Sequence, residues 1–201
     1  MVNIVDVNIA NIRKDFPILK RKIRGHDLVY LDNAASTLKP NCVIQAINNH
    51  YSFESSNIHR GVHFLSEHGT YKYEQTRETL QRFINAKNIH EIIFTKGTTD
   101  AINLVANSYA GAFLNPGDQI LISRMEHHSN IVPWQLIAEK KKLEIIEVPI
   151  DNNGDIIIDS YKNLLNEKVK LVAITSISNT LGTINPLKTI IEHCQEHKEK
   201  T

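Results

Sequence analysis

The sequence predicts an α/β protein built on a doubly wound, mainly parallel sheet, and two features of the 201-residue chain support this. Apolar runs of strand length alternate with segments of helical periodicity, which is the order found when helices cover both faces of parallel strands. Runs such as LVAI at 171–174 are continuously apolar, as expected for strands buried on both faces. A composition of 41% hydrophobic and 22% charged residues is that of a globular protein.

The N-terminal part carries the first predicted elements. We expect residues 1–28 to form a lead-in segment and residues 29–201 to belong to one domain. A helix is predicted at 41–52, directly after Pro40, and a longer one at 69–86, where apolar side chains recur near one face.

Paired strand and helix signals fill the rest of the chain. Strands are predicted, because each is a short run of mostly aliphatic residues, at 91–95, 119–123, 143–148 and 170–175. Each strand is followed by a predicted helix, at 98–113, 129–142, 157–165 and 186–199. No internal repeat or low-complexity tract interrupts this order.

Charge, cysteine content and the N-terminal sequence narrow the functional class. Lys and Arg total 23 against 22 acidic residues, so the net charge does not predict binding to nucleic acid or to a membrane surface. No run approaches the roughly 20 apolar residues of a membrane-spanning helix. Cys42 and Cys194 do not make a disulfide framework, and Asp6 and Asp15 argue against a transit peptide. We therefore expect a cytoplasmic protein.

Three polar clusters follow predicted strands, at the sheet edge where open α/β sheets bind their ligands. In the first, at 96–100, Gly97 precedes Thr98 and Thr99 at a helix N-terminus, whose free N–H groups and hydroxyls suit a phosphate. A simpler interpretation is that Thr98 only caps the helix. The segment lacks the GxxxxGK[ST] pattern of a Walker A loop.

The second cluster, at 126–130, contains His127 and His128, which could stack on a flat cofactor, transfer protons, bind metal or simply belong to a polar loop. Metal is disfavoured because adjacent residues in a turn rarely face one ion and no HExxH motif or cysteine cluster accompanies them. The third, at 176–182, places Asn179 where its amide could bind a ligand or only support the turn.

A further polar cluster lies upstream, at 57–63, and could be a solvated loop. Each cluster alone is weak evidence of function. The three clusters that follow strands would meet at one edge of the sheet, so the sequence predicts a single site there.

Taken together, these segments resemble the class V aminotransferase-like enzymes that use pyridoxal 5′-phosphate (PLP), and among them the SUF-type cysteine desulfurases. The matching stretches, in the order of the family, are YLDNAAST at 30–37, NIHRGVH at 57–63, FTKGTTDAINLVA at 94–106, EHHSNIVPWQ at 126–135 and SISNTLGTINP at 176–186. The other main branch of desulfurases has a different pattern after the Glu-His pair, which makes GTT followed by EHHSN and VPW specific. The resemblance implies the large domain of a PLP-dependent transferase of fold type I.

The resemblance also implies roles for individual residues. Thr98 and Thr99 match the turn that binds the cofactor phosphate. His127 matches the histidine that stacks on the pyridine ring and moves protons, and Asn179 matches the residue that contacts the phenolic oxygen. The positions near the substrate entrance, which the family supplies partly from the other subunit of a homodimer, are matched by Ala34, Ala35, His59 and Arg60.

The implied reaction removes sulfur from L-cysteine and gives L-alanine and a persulfide on the enzyme. PLP is the electron sink, and the protein binds and orients it. The sulfur would pass to a sulfur-acceptor protein of the SUF system for iron–sulfur cluster assembly, and some members of the family also accept selenocysteine.

Three groups that the family needs have no match in the chain. They are the acidic residue of a V-D-G-A-Q motif, the Schiff-base lysine of an S-x-H-K motif and the cysteine that carries the persulfide. Lys96 adjoins the phosphate turn without matching the Schiff-base position, and we expect Cys42 and Cys194 to be structural residues of helices. Residues 29–201 would then be a partial PLP-binding large domain, truncated before the lysine.

Without the later strands of such a domain, 91–95 would lack a neighbour and apolar faces would stay uncovered. We therefore expect the chain alone to be poorly stable and unable to desulfurate cysteine. A frameshift or a split gene would account for its end, and the reading frame downstream tests this. The open alternatives are another class V aminotransferase or a kynureninase-like lyase, a non-catalytic remnant and, last, a nucleotide-binding domain, for which GxGxxG and the P-loop are lacking.

Overall fold

The computed structural model describes the backbone of residues 8–200 and the side chains of residues 8–197. Residues 1–7, which belong to the predicted lead-in segment, lie outside the described residues. The chain divides into two compact units, and the boundary falls between Ile93 and Phe94. Each unit has its own set of elements.

The first unit is mainly helical. Its elements are α1 (Ile9–Lys14), a 3-10 turn (Pro17–Lys20), β1 (Lys22–Ile23), β2 (His26–Asp27), α2 (Asn41–Asn49), a π turn (His50–Glu54), α3 (Phe64–Phe83) and a second 3-10 turn (Ile89–Glu91). β1 and β2 pair antiparallel as a short hairpin. The two helices predicted in this region are confirmed, although α3 begins and ends earlier than predicted. It starts after the extended residue His63 and ends before Asn85, which has a φ of 56°.

The strand predicted at 91–95 is not formed. A 3-10 turn takes its first residue because Asn88 and Glu91 cap each other, with the Glu91 carboxylate accepting the Asn88 backbone N–H at 3.0 Å. Residues 92–95 pair with no other strand in the described part of the chain. A strand without a neighbour leaves its N–H and C=O groups unpaired on both edges, so it does not persist as regular structure. Ile93 is accordingly 66% exposed.

The second unit is a three-stranded parallel sheet with its helices. Its elements are α4 (Thr98–Val105), a π turn (Ala106–Ala110), α5 (Gly111–Phe113), β3 (Gln119–Ser123), a 3-10 turn (His128–Asn130), α6 (Val132–Lys141), β4 (Glu144–Val148), α7 (Ile158–Leu164), β5 (Val169–Ala173) and α8 (Leu187–Lys200). β3 lies in the centre, between β4 and β5, and is parallel to both. The predicted α/β fold with a parallel sheet is confirmed, and β3 has the predicted bounds.

The two faces of β3 bury different apolar clusters, because successive side chains of a strand point to opposite faces. Ile120 and Ile122 pack with residues of α4, of the π turn Ala106–Ala110 and of α6, among them the buried Trp134. Leu121 packs into the other cluster with Tyr161 of α7 and residues of α8. Helices thus cover both faces of the sheet, as the doubly wound pattern predicts, and hold the ends of the strands in fixed positions.

Apolar side chains are also exposed in both units. Leu31 is 88% exposed and Val62 98% exposed in the first unit, and Ile184 is 74% exposed in the second. β4 and β5 each pair on one side only among the described strands. These observations agree with the expectation that apolar surface stays uncovered in this chain. None of the described helices combines the length and the apolar character required to cross a membrane.

Candidate functional site

The turn before α4 is open at the helix N-terminus. Gly97 occupies the N-cap position with a φ of 152°, and Thr98 is the first helical residue. No side chain among the described residues caps this end, so the interpretation of Thr98 as a capping residue is wrong. The Asp100 carboxylate instead accepts the backbone N–H of Lys96 at 3.1 Å and folds the turn back. Thr98 and Thr99 are both exposed.

The turn after β3 presents His127 to solvent. Its Nδ1 accepts the backbone N–H of Ser129 at 3.1 Å and lies 2.9 Å from the Ser129 hydroxyl. Because a backbone N–H can only donate, Nδ1 is the acceptor, and the neutral ring carries its proton on Nε2. The His128 ring meets the His127 ring edge-on, with centroids 6.0 Å apart and an interplanar angle of 70°. Among the described residues, no aromatic ring stacks in parallel on the ring of His127.

The segment after β5 forms a small closed loop that carries Asn179. Ile177 and Ile184 form an antiparallel bridge at its base. The buried Ser178 hydroxyl accepts the backbone N–H of Leu181 at 3.1 Å and supports the turn. Asn179 is exposed, and its Nδ2 donates to the Thr180 hydroxyl at 3.3 Å.

These three turns belong to the same unit, and their supporting residues are in contact. α4 packs against the 3-10 turn His128–Asn130, which directly follows His127. The backbone N–H of Thr175, at the start of the loop that carries Asn179, donates to the carboxylate of Glu126 at 2.8 Å. The prediction that the clusters at 96–100, 126–130 and 176–182 lie near one another is thus supported by the contacts between their flanking residues.

The residues expected at a substrate entrance lie in the first unit. Ala34 and Ala35 are exposed in a turn in which the backbone N–H of Ala35 donates to the carbonyl of Asp32 at 3.2 Å. His59 has a φ of 62°, and its Nε2 lies 3.3 Å from the carboxylate of Glu74. These three positions, together with Arg60, stay predictions with respect to substrate.

The segment 57–63 is more ordered than a solvated loop. The backbone N–H of His59 donates to the Thr70 hydroxyl at 2.9 Å, and that of Gly61 donates to the Ser66 hydroxyl at 3.0 Å. A Cβ added at Gly61 would lie 2.7 Å from Ser66, so only glycine allows this approach to α3. Arg60, between these anchored residues, is exposed.

The two cysteines differ in environment. Cys194 is partly buried on α8, and its sulfur lies 2.8 Å from the hydroxyl of Tyr161, which fits the expected structural role. Burial raises the pKa of Tyr161, and the contact with the Cys194 thiol raises it further. Cys42 lies in a helix, α2, as expected, but it is exposed there. The described residues contain no group of three or more His, Cys, Asp and Glu side chains that could hold a metal ion.

Sequence reasoning missed the buried polar residues beneath the turns. Glu126 and Asn185 are 8% and 4% exposed, and neither was expected to have a role. Asn130 and Trp134 are hydrogen-bonded at 2.8 Å. The available signal was a glutamate three residues after a mostly aliphatic strand, because a carboxylate at such a position needs donors from neighbouring segments.

The pattern of the aminotransferase class-V family matches residues 29–200. The chain belongs to the aminotransferase class-V family. Two curated relatives of the chain are named as cysteine desulfurases. The chain is 48% identical over 191 residues to a probable cysteine desulfurase from Halalkalibacterium halodurans. The matched region covers 95% of this chain and 47% of the relative. It is 44% identical over 196 residues to a cysteine desulfurase from Synechococcus elongatus. Here the matched region covers 98% of this chain and 31% of the relative. The class-V chain thus spans about half of the first relative and less of the second.

Solved structures agree with the family. The apo structure of a cysteine desulfurase from Thermococcus onnurineus superposes with a TM-score of 0.85 at 34% identity, over 94% of this chain and 45% of that one. A cysteine desulfurase from Escherichia coli superposes with a TM-score of 0.79 at 32% identity, over 94% of this chain and 46% of that one. A 22% identical structure in which glycine is covalently linked to the PLP cofactor has a TM-score of 0.72 and shows the shared fold alone.

Proposed function

We propose that this chain supplies the phosphate-binding and ring-binding part of a PLP-dependent cysteine desulfurase, which converts L-cysteine to L-alanine and an enzyme-bound persulfide. The observation that carries the proposal is the packing of α4, which begins at Thr98 and Thr99, against the turn that follows His127. The names of the relatives support L-cysteine as the substrate.

The donor set of these turns fits PLP. A phosphate dianion needs N–H and O–H donors and a positive local potential, and the N-terminus of α4 offers both. An added Cβ at Gly97 would meet no atom within 4 Å, so space beside the turn is open. An imidazole face and a carboxamide suit a pyridine ring and its phenolic oxygen.

Each side chain has a task that its surroundings support. PLP, when bound, supplies the electron sink of the reaction. His127 would stack on the ring, and its Nε2 would move the proton because Nδ1 is engaged by the Ser129 N–H. Asn179 would direct its carboxamide to the phenolic oxygen, and Thr98 and Thr99 would bind the phosphate.

The finer assignment is to the SUF type. The stretch EHHSNIVPW at 126–134 supports it. A SUF sulfur-acceptor protein would receive the persulfide sulfur for iron–sulfur cluster assembly in the cytoplasm, and selenocysteine is a second candidate substrate. Ala34, Ala35, His59 and Arg60 would lie at the substrate entrance of a homodimer.

The proposal does not assign catalysis to these 201 residues alone. The sequence contains neither V-D-G-A-Q nor S-x-H-K, so these 201 residues do not include the acid that would face the pyridine nitrogen or the lysine that would bind the cofactor covalently. We expect the chain by itself to release no alanine from L-cysteine.

Ligand binding tests the site itself. Pyridoxine 5′-phosphate has the phosphate and ring of PLP but no aldehyde, so it cannot react with surface lysines. It absorbs where tryptophan emits, and Trp134 is the single tryptophan of the chain. We expect saturable quenching of Trp134 fluorescence, weakened about tenfold by the double substitution of Thr98 and Thr99 to Val. Thr79→Val in α3 is the matched control and should leave the affinity unchanged.

A chimera tests the reaction. The 201 residues would be followed by the part of the Halalkalibacterium halodurans relative that lies C-terminal to the matched region. We expect equal amounts of alanine and sulfide from L-cysteine in the presence of a thiol reductant. Keto-acid formation that depends on an amino-group acceptor would favour a class V aminotransferase instead. A folded chimera that does neither, beside an active parent relative, would contradict the proposal.

A further inference from the structure

Glu126 is a carboxylate that lies directly before His127 and is 8% exposed. Its Oε1 accepts the Ser123 hydroxyl at 2.5 Å and the backbone N–H of Thr175 at 2.8 Å, and its Oε2 accepts the Asn130 amide at 2.8 Å. A carboxylate this deep is stable only when such donors satisfy it. The donors come from three separate places, which are the end of β3, the turn before α6 and the segment after β5.

Asn130 extends the network in a fixed orientation. Its Nδ2 also donates to the carbonyl of Ala173 in β5 at 3.1 Å. Its Oδ1 accepts the indole N–H of Trp134 at 2.8 Å. Every donor therefore meets an acceptor, and a rotation of the carboxamide would place like groups against each other.

Asn185 connects the network to the loop that carries Asn179. Its Nδ2 donates to the carbonyl of Thr175 at 2.8 Å, and its backbone N–H donates to the carbonyl of Ser176 at 2.9 Å. The two ends of the loop are thus held together, and the position of Thr175 sets the position of the loop.

We propose that Glu126 is the positioning residue that fixes the His127 turn relative to the Asn179 loop. The inference rests on the proposed function, since those two side chains are the expected partners of the cofactor ring. Glu126 is adjacent to His127 in sequence and is bonded to Thr175, where the loop begins. Neither turn can shift without the other unless this buried contact is broken. Glu126 acts through its neighbours and touches no reacting atom.

The isosteric substitution Glu126→Gln removes one hydrogen bond from the network, either the one to Thr175 or the one to Asn130. It replaces one carboxylate oxygen by an NH2 group, which can only donate. In one orientation of the amide this group faces the N–H of Thr175, and in the other it faces the NH2 of Asn130. Either orientation opposes two donors, so one of the two connections is lost.

Combining Glu126→Gln with Asn130→Asp exchanges the donor and the acceptor, and it restores the hydrogen bond between positions 126 and 130. The NH2 of Gln at position 126 can donate to the new carboxylate at position 130, whose second oxygen still accepts the N–H of Trp134. The carbonyl of Ala173 loses its donor, so we expect a partial rescue. Asn130→Asp alone sets two carboxylates against each other and should be the worst of the three variants.

The first measurement is the affinity of the 201-residue chain for pyridoxine 5′-phosphate, read from Trp134 fluorescence. We expect about tenfold weaker binding by E126Q and recovery of most of that loss in E126Q/N130D. Ser123→Ala removes a donor that lies on neither turn, so it should lower the urea midpoint without lowering the affinity. Where E126Q folds poorly, Glu126→Asp keeps the charge with a shorter reach and should show an intermediate loss.

The second measurement needs no ligand. Amide hydrogen exchange across residues 174–180 reports whether the start of the loop is held, and we expect it to rise in E126Q and to fall back in E126Q/N130D. Unchanged exchange in E126Q, or additive losses in the double variant, overturns the inference. Absence of pyridoxine 5′-phosphate binding by the unsubstituted chain overturns the proposed function instead, while the exchange result still decides the role of Glu126.

Discussion

The hydroxyl of Tyr161 on α7 donates to the carbonyl of Ile190 on α8 at 3.0 Å. The same oxygen lies 2.8 Å from the sulfur of Cys194, one turn further along α8. Tyr161 is fully buried, so these contacts replace the water that the phenol would otherwise bind. The pair joins the two helices that cover one face of the sheet.

Tyr161→Phe should lower the free energy of unfolding by about 1 kcal/mol at neutral pH. The ring is kept, so the loss is that of a buried hydrogen bond and not of a cavity. Urea denaturation followed by Trp134 fluorescence measures it. Tyr71→Phe, at a position 63% exposed, is the control and should change stability by less than about 0.5 kcal/mol. Equal effects of the two variants would show that the Tyr161 hydroxyl contributes nothing.

Alkaline pH should destabilise the protein through the same residue. Burial and the Cys194 thiol raise the pKa of Tyr161 above its ordinary value of 10.0, so the folded state keeps a proton that the unfolded state releases. Stability from this group is complete below pH 10.0 and falls as pH rises above it. The urea midpoint should fall more steeply above that pH in the unsubstituted chain than in Tyr161→Phe. Parallel curves would contradict the assignment.

The second unit could be predicted from sequence better than the site network. Residues 120–122, in the middle of β3, are continuously apolar because both faces of the strand are buried, and that property is visible in the residues themselves. The contact between Glu126 and Thr175 joins residues 49 positions apart, and no local pattern encodes such a pairing. The segment 91–95 shows the converse. Its composition favours a strand, but strand formation depends on a neighbour that this chain does not provide among the described strands.

Asp151, in the turn between β4 and α7, should make a contribution to stability that is lost at acid pH. Its Oδ1 accepts the backbone N–H of Asp155 at 2.9 Å and that of Asn153 at 2.8 Å. These hydrogen bonds hold the pKa of Asp151 below its ordinary value of 3.8, so the stability it adds is present above pH 3.8 and is lost as pH falls.

Asp151→Asn keeps the accepting oxygen, and it should therefore leave stability near neutral pH almost unchanged while removing this part of the acid dependence. Urea midpoints at about pH 6 and about pH 3 give the comparison. The side chain is exposed, so the difference should be small. An identical fall in both proteins would mean that other carboxyl groups account for the whole of the acid response.

Gly154 lies in the same turn and contacts the loop that carries Asn179. It has a φ of 86°, and an added Cβ would lie 2.9 Å from Cδ1 of Leu181 and 3.4 Å from the hydroxyl of Thr183. Gly117 has the same φ of 86°, but a Cβ there would meet nothing within 4 Å. Alanine substitutions at the two glycines therefore distinguish the effect of the strained backbone, which both would have, from the effect of a clash with Leu181, which only Gly154→Ala would have.

Gly154→Ala and Gly117→Ala should both lose about 1–2 kcal/mol of stability from the left-handed backbone, and only the first should also weaken binding of pyridoxine 5′-phosphate. The reason is that the new methyl group at position 154 must displace Leu181, which lies two residues after Asn179. Adding Leu181→Ala to Gly154→Ala removes the displaced side chain, so it should restore the affinity while leaving the backbone strain in place. Equal affinities of the two glycine variants would show that this turn does not support the Asn179 loop.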